Sequence, residues 1–290
     1  MSLFSRYSFS SSQLDHFHEQ GYLKLSKLIP ESLLNQLKES LEPYCNPNQN
    51  YPGVAVLEGK NGTKFTIGVD NLVSREASIF RHLLGSPLLL SLAEGICGPD
   101  FFPVQDFAVI KTLGDGSQVN WHQDVVSQSR ARCIMIGLYL DPATEENGAL
   151  RIIPKSHCSK DPLCELQKMA YQSIEMDAGD ILIHDLMLAH SSGPLSTFPQ
   201  RRVVYFEFFE AAKAQLEHLY SEEFVTLRTS LIPYAIQALQ EDHPDTLSFE
   251  WKNSAKENFP TPLPTSLAIQ TIYNSKLHSR PANYCFDFPG

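Results

Sequence analysis

No stretch of this chain approaches the ~20 consecutive apolar residues needed to cross a bilayer. Its first residues, Met1 to Tyr7, lack the apolar core of a secretory signal. A cytoplasmic location is therefore expected. Basic residues are scarce as well, with 23 against 33 acidic ones for a formal charge of -10. Such a surface repels phosphate backbones and anionic lipid, so neither nucleic acid nor membrane is an expected partner, and a small molecule is. The six cysteines, at 45, 97, 133, 158, 164 and 285, form no Cys-x-x-Cys pair and no cluster with histidine that would build a zinc site. Free thiols are the expectation. There is no repeat and no low-complexity tract long enough to act as a linker. With 290 residues at 42% hydrophobic, the chain is long enough for one substantial core, and a single domain over residues 1–290 is expected, as monomer or homodimer.

What the chain does contain is Trp121-His122-Gln123-Asp124, followed at a distance by His190. Successive side chains of a strand point to opposite faces, so His-x-Asp sends both groups to one side. With His190 from another strand they make two imidazoles and one carboxylate. This is the ligand set of a non-haem Fe(II) site that keeps neighbouring positions open. The spacing alone is weak, because ten histidines produce such pairs by chance.

Its context is stronger. Gly114-Asp115-Gly116 is a turn leading into the motif, and short apolar runs follow between turn signals: Cys133–Leu140, Ala149–Pro154, Gly179–Asp185 and Arg201–Phe209. Short strands between turns predict a mainly β protein with flanking helices, built as a double-stranded β-helix or jelly roll of the cupin-like kind. The barrel core is expected over about 100–210, with a helical N-terminal flank and a helical, then extended, segment over 211–290. Ser11–Gln20, Pro30–Leu41, Ser74–Leu84, Pro87–Cys97 and much of Ala211–Gln240 carry helical patterns. The Asn-, Gly- and Pro-rich stretch from 43 to 70 reads as a cover over the active site, and the tail from Pro260, with Tyr273, Tyr284 and Phe286, as an extended arm packed on the body.

Four motifs in order, Trp-His-Gln-Asp at 121–124, Glu146–Leu150 with Ile153–His157, Ala178-Gly179-Asp180, and His190 with Arg201 eleven residues later, resemble the phytanoyl-CoA dioxygenase family. Lys155 departs from it, standing where members commonly carry glycine, and nothing after Phe209 matches a motif. The resemblance implies an enzyme that binds Fe(II) through His122, Asp124 and His190. It implies 2-oxoglutarate and O2 as cosubstrates, with release of succinate and CO2 as a C–H bond of a small metabolite is oxidised. Related halogenases carry a small residue in place of the carboxylate, so Asp124 favours hydroxylation. The remote carboxylate of 2-oxoglutarate suits a guanidinium, and family spacing points to Arg201, with Arg202 the competing choice. Gln105 resembles a cosubstrate-contacting glutamine of ectoine-hydroxylase-like members, and Ser192 is a further candidate donor.

His184, in an apolar strand, is the rival to His190, whose spacing to Arg201 fits better. His157 is expected to hydrogen-bond a turn, while His16, His18, His82, His218, His243 and His278 fall in helical or loop contexts. Lys60, Lys64, Arg75, Arg130 and Arg132 are basic residues available to an acidic substrate. Two other readings use the same residues: a cupin-like metal-dependent hydrolase or isomerase, and a catalytically silent binding member of the fold.

Overall fold

The computed structural model describes residues 5–59, 61–126, 132–253, 265–274 and 283–285. Lys60, Arg130, His278, Phe286 and the run from Pro260 to Pro264 lie outside the described residues.

Two antiparallel sheets face each other. One has seven strands in the order β1 (Tyr22–Leu25), β9 (Ile181–Asp185), β6 (Cys133–Tyr139), β11 (Gln200–Glu210), β4 (Phe101–Thr112), β3 (Lys64–Asp70) and β2 (Val54–Glu58). The other has five: β12 (Asn283–Tyr284), β5 (Val119–Gln123), β10 (His190–Ser192), β7 (Leu150–Ile152) and β8 (Gln172–Ile174). The protein is thus mainly β with flanking helices, a jelly roll as expected.

Strand parity sorts the side chains into two cores. Along β11, Val204, Phe206 and Phe208 pack on the helix side, whereas Val203 and Tyr205 pack between the sheets. β6 is buried along its whole length because both its faces are covered, Ile134, Ile136 and Leu138 facing the helices and Met135 and Tyr139 the sheet interior. This is why its sequence is a continuous apolar run instead of an alternating one.

The helices α1 (Ser11–Gln20), α2 (Glu31–Leu41), α3 (Ile79–Gly85) and α4 (Pro87–Cys97) form the N-terminal flank. α1 begins with a capping box between Ser10 and Gln13, which satisfies two orphan N–H groups reciprocally. α2 turns Leu33, Leu34, Leu37 and Leu41 inward. After the barrel come α6 (Ala211–Leu216), α7 (Glu222–Thr229) and α8 (Leu231–Asp242); a four-residue helix, α5 (Leu163–Leu166), lies within the barrel segment.

Four expectations are corrected. The 43–70 stretch is not a cover: β2 and β3 form a hairpin that extends the larger sheet beyond β4, since Val54–Glu58 and Lys64–Asp70 hold enough β-branched and aromatic residues to join an exposed sheet edge. The helix expected at Ser74–Leu84 is shorter, a 3-10 turn at Leu72–Ser74 preceding α3. The C-terminal tail is not simply extended, because it carries a helix, α9 (Thr265–Asn274), before β12. Cysteine is corrected too: Cys164 and Cys285 form a disulfide across 121 residues, while Cys45, Cys97, Cys133 and Cys158 remain thiols. Spacing could not show that pair, since only β12 docking beside β5 brings Cys285 to α5. Such bonds are characteristic of oxidising surroundings. Among the described residues no helix is long and apolar enough to cross a membrane.

Candidate metal and cosubstrate site

His122, near the end of β5, and His190, at the start of β10, are register partners on adjacent strands, and their ring centroids lie 4.1 Å apart. Asp124 follows β5 and returns to the same face, while Gln123 between them points away and donates Nε2 to Met187 O at 2.6 Å. One ligand atom from each of His122, Asp124 and His190 lies within 4.8 Å of the other two. His122 Nε2 is 3.4 Å from Asp124 Oδ1, and His190 Nε2 is 3.8 Å from Oδ2.

Both imidazoles are oriented from behind. His122 Nδ1 lies 2.9 Å from Asn120 O and His190 Nδ1 2.8 Å from Leu188 O. A carbonyl only accepts, so each Nδ1 carries the proton and each Nε2 presents a lone pair to the cluster. For His190 and Asp124, electrostatics agrees with that protonation pattern. Burial, then the neighbouring His122, push the His190 imidazole down to about 3. Burial works to raise Asp124, but His190, His122 and His184 outweigh it and hold the carboxyl well below its usual range. Burial likewise opposes charge on His122, yet Asp124 raises it. A neutral imidazole and an ionised carboxylate are the forms that bind a metal. Asp124 Oδ2 is buried with no hydrogen-bond partner, an unmet acceptor that a cation would satisfy. The donor set therefore fits Fe(II).

Arg201 lines the same cavity, of about 100 Å³, as the His122–Asp124–His190 cluster, and it belongs to a second unusual arrangement. Arg201 and Lys111 are register partners on β11 and β4, so both point between the sheets, and they are 2% and 1% exposed. Like charges directly opposite on neighbouring strands repel. Among the described residues neither has a carboxylate at ion-pair distance. Lys111 Nζ donates to Ser192 Oγ at 2.9 Å and to the Ser192 and Gly193 carbonyls, and Arg201 Nη1 donates to Gly148 O. Arg201 Nε is buried without a partner. Burial, then the Arg201 guanidinium, push the Lys111 ammonium down to about 7. Two buried cations with an unused donor fit an anionic ligand, and a dicarboxylate reaching from the metal cluster has the chemistry required.

Gly148 helps to build this end: its φ is +73° and a Cβ there would come within 2.9 Å of Gly193 O. Lys155 adopts φ 67°, a left-handed conformation that glycine takes without strain, which accounts for the family's usual residue at that position.

The sequence candidates fall as follows. Arg201 lines the cavity, whereas Arg202 faces away and grips Asp141 through Nε and Nη2 at 2.8 and 2.9 Å. Ser192 lines the cavity and accepts from Lys111. Gln105 is in register with Glu207 on the Lys111 face of β4 but is exposed and does not line the cavity. Lys64, Arg75 and Arg132 do not line it either; Arg75 donates to Asp70 O and Arg132 pairs with Glu210. Lys111 and Tyr284 were missed. Lys111 had a signal, a lysine in the otherwise apolar Phe107-Ala108-Val109-Ile110 strand with the parity of Gln105.

A jelly roll with two imidazoles and a carboxylate converging between its sheets defines the non-haem iron oxygenase class of site. The phytanoyl-CoA dioxygenase (PhyH) pattern matches residues 17–203, and the chain belongs to that family. The family depends on Fe(II), 2-oxoglutarate and O2, so this chain is an enzyme of the Fe(II)/2-oxoglutarate-dependent oxygenase class. It is similar to a methylphosphonate hydroxylase of Gimesia maris, at 25% identity over 73% of this chain and 85% of that protein. It is also similar to the L-proline trans-4-hydroxylase of Streptomyces griseoviridis, at 25% identity over 48% of this chain and 52% of that one, about half its length. The solved structure of EctD from S. alaskensis with 2-oxoglutarate and 5-hydroxyectoine superposes with a TM-score of 0.61 at 18% identity, over 71% of this chain and 77% of the other.

Proposed function

We propose that this protein hydroxylates a C–H bond of a small metabolite, with His122, Asp124 and His190 as the iron ligands and Arg201, Lys111 and Ser192 as the seat of 2-oxoglutarate. The observation that carries the reading is the buried Lys111–Arg201 pair beside the His-Asp-His cluster. A metal hydrolase would have the cluster and no use for two facing buried cations.

Bound iron supplies the activation of O2 that a protein side chain cannot perform. The residues supply everything else. His122 and His190 offer Nε2, each held by a backbone carbonyl. Asp124 contributes the negative charge that a halogenase site lacks. Arg201 and Lys111 neutralise the far carboxylate of the cosubstrate, and the Ser192 hydroxyl, which already accepts from Lys111, keeps its own proton to donate. Phe107, Val109, Met135, Leu150 and Tyr205 line the remaining walls and exclude water, which strengthens each charged contact.

The test is succinate release from 2-oxoglutarate by the protein reconstituted with Fe(II) in air. Turnover in the wild type and its loss in Asp124→Ala and Arg201→Met are expected. Equal turnover in Asp124→Ala, or no 2-oxoglutarate binding by the Fe(II)-loaded wild type, would sink the reading.

A further inference from the structure

A third imidazole reaches Asp124 from the opposite sheet. His184 lies on β9, next to β1 and β6 in the seven-stranded sheet, whereas His122 and His190 belong to the five-stranded one. The residue is 2% exposed and its ring sits 4.8 Å from the His190 ring. His184 Nε2 is 3.5 Å from Asp124 Oδ2. His184 is not part of the His122–Asp124–His190 cluster.

Three atoms here are buried without a hydrogen-bond partner: His184 Nδ1, His184 Nε2 and Asp124 Oδ2. Two of them, a potential N–H donor and a carboxylate acceptor, face each other across that 3.5 Å gap, a few tenths of an ångström longer than a full hydrogen bond. Burying an unpaired imidazole is unfavourable. The three residues of β9 before it, Ile181, Leu182 and Ile183, are apolar and only Asp185 follows within the strand, and an apolar residue at 184 would continue that run at no such cost. Among the described residues no hydroxyl, amide or backbone N–H reaches the Asp124 carboxylate, and the donors near it are the imidazoles of His122, His184 and His190. Two of those are oriented as metal ligands. A carboxylate that gives one oxygen to a metal needs a donor for the rest of its acceptor capacity, and such partners orient metal-bound carboxylates generally.

We infer that His184 is a positioning residue: its Nε2–H donates to the Asp124 carboxylate and fixes the rotation of that group toward the metal. The inference rests on the iron-site reading above. It assigns a role to a histidine on the sheet that contributes none of the three ligands.

Co(II) is the probe, because it occupies the same donor set and its absorption bands report ligand geometry. Affinity is measured by calorimetry, without turnover, on wild type, His184→Leu, His184→Phe, His184→Gln and His190→Ala. The two apolar variants are expected to bind Co(II) about 10- to 100-fold more weakly, with shifted Co(II) bands. Glutamine keeps an N–H donor and is expected to restore most of the affinity. Whichever apolar variant retains the wild-type circular dichroism decides the matter. Wild-type affinity and unchanged bands in that variant overturn the inference while leaving the iron site intact. If His184→Gln binds as poorly as His190→Ala, His184 is a ligand and the positioning role is wrong. Absence of Co(II) binding in the wild type overturns the iron-site reading itself, and with it this one.

Discussion

Tyr284 lies flat against His122, their ring centroids 5.2 Å apart and their planes 10° from parallel. The two residues are register partners on β12 and β5. Asn283 donates Nδ2 to Gln123 Oε1 at 3.0 Å, and Cys285 is bonded to Cys164. The C-terminal strand, well past the matched residues 17–203, therefore closes one flank of His122, a candidate metal ligand.

That attachment should depend on redox state. Reducing Cys164–Cys285 removes a link across 121 residues, which on the chain-entropy account stabilises by up to about 5 kcal/mol. Wild-type Tm is expected to fall on adding reductant, and protease cleavage near residues 283–285 to accelerate. A Cys164→Ser/Cys285→Ser protein should start lower and ignore the reductant. Identical melting of both proteins in both conditions would count against a bond that holds the strand down.

Lys111 predicts a pH dependence for cosubstrate affinity. Its ammonium is pushed down to about 7, so above that pH the free protein carries a neutral amine and binding an anion must take up a proton. The Kd for 2-oxoglutarate is expected to rise with pH above about 7, by up to roughly tenfold per unit until the pKa of the bound state is reached. Calorimetry in two buffers of different ionisation heat would detect the proton uptake. Lys111→Met should bind more weakly throughout and lose the slope; a slope that persists in this variant refutes the assignment.

Arg201 and Arg202 should separate cleanly. Arg202 and Asp141 share two hydrogen bonds away from the cavity, so Arg202→Met is expected to cost about 1–3 kcal/mol of stability while 2-oxoglutarate affinity stays within about twofold of wild type. Arg201→Met should do the reverse to affinity. Burial works to raise Asp141, but Arg202 and Lys38 outweigh it and hold the carboxyl below its usual range. This contribution is complete above about pH 4 and is lost as pH falls through the lowered folded-state value. Denaturant titrations should therefore show a gentler acid limb in Arg202→Met.

Metal should stabilise the fold in proportion to its affinity. Excess Mn(II) at about 100 times its Kd is expected to add about 2.7 kcal/mol, seen as a higher Tm that Asp124→Ala no longer shows. Because Asp124 raises His122 above its ordinary value, loading near neutral pH displaces a proton, and affinity should increase as pH rises. A Tm indifferent to Mn(II) in the wild type would argue against the cluster as a metal site.

Much of this molecule was legible before folding, and particular residues show why. His122 and Asp124 share a face because strand parity is local. Cys133–Tyr139 is a strand because a continuous apolar run bounded by turn residues has few alternatives, and α1 begins after Ser10 because its cap is written into the next three residues. The 43–70 hairpin was misread for the opposite reason: the Asn-, Gly- and Pro-rich residues around its two strands read as loop, and only pairing with β4 shows that the stretch extends the sheet. The helix at Thr265–Asn274 was hidden behind a proline-rich lead-in.

By itself the sequence determined the periodicities, the turns, the order of the motifs and the shared face of His122 and Asp124, all properties of neighbours along the chain. The tertiary structure alone decided that Lys111 stands opposite Arg201, that Cys285 reaches Cys164, and that His184 from one sheet meets Asp124 from the other. These depend on the register between strands far apart in sequence. That register is set by how two whole sheets bury their apolar faces together, a balance no local window contains.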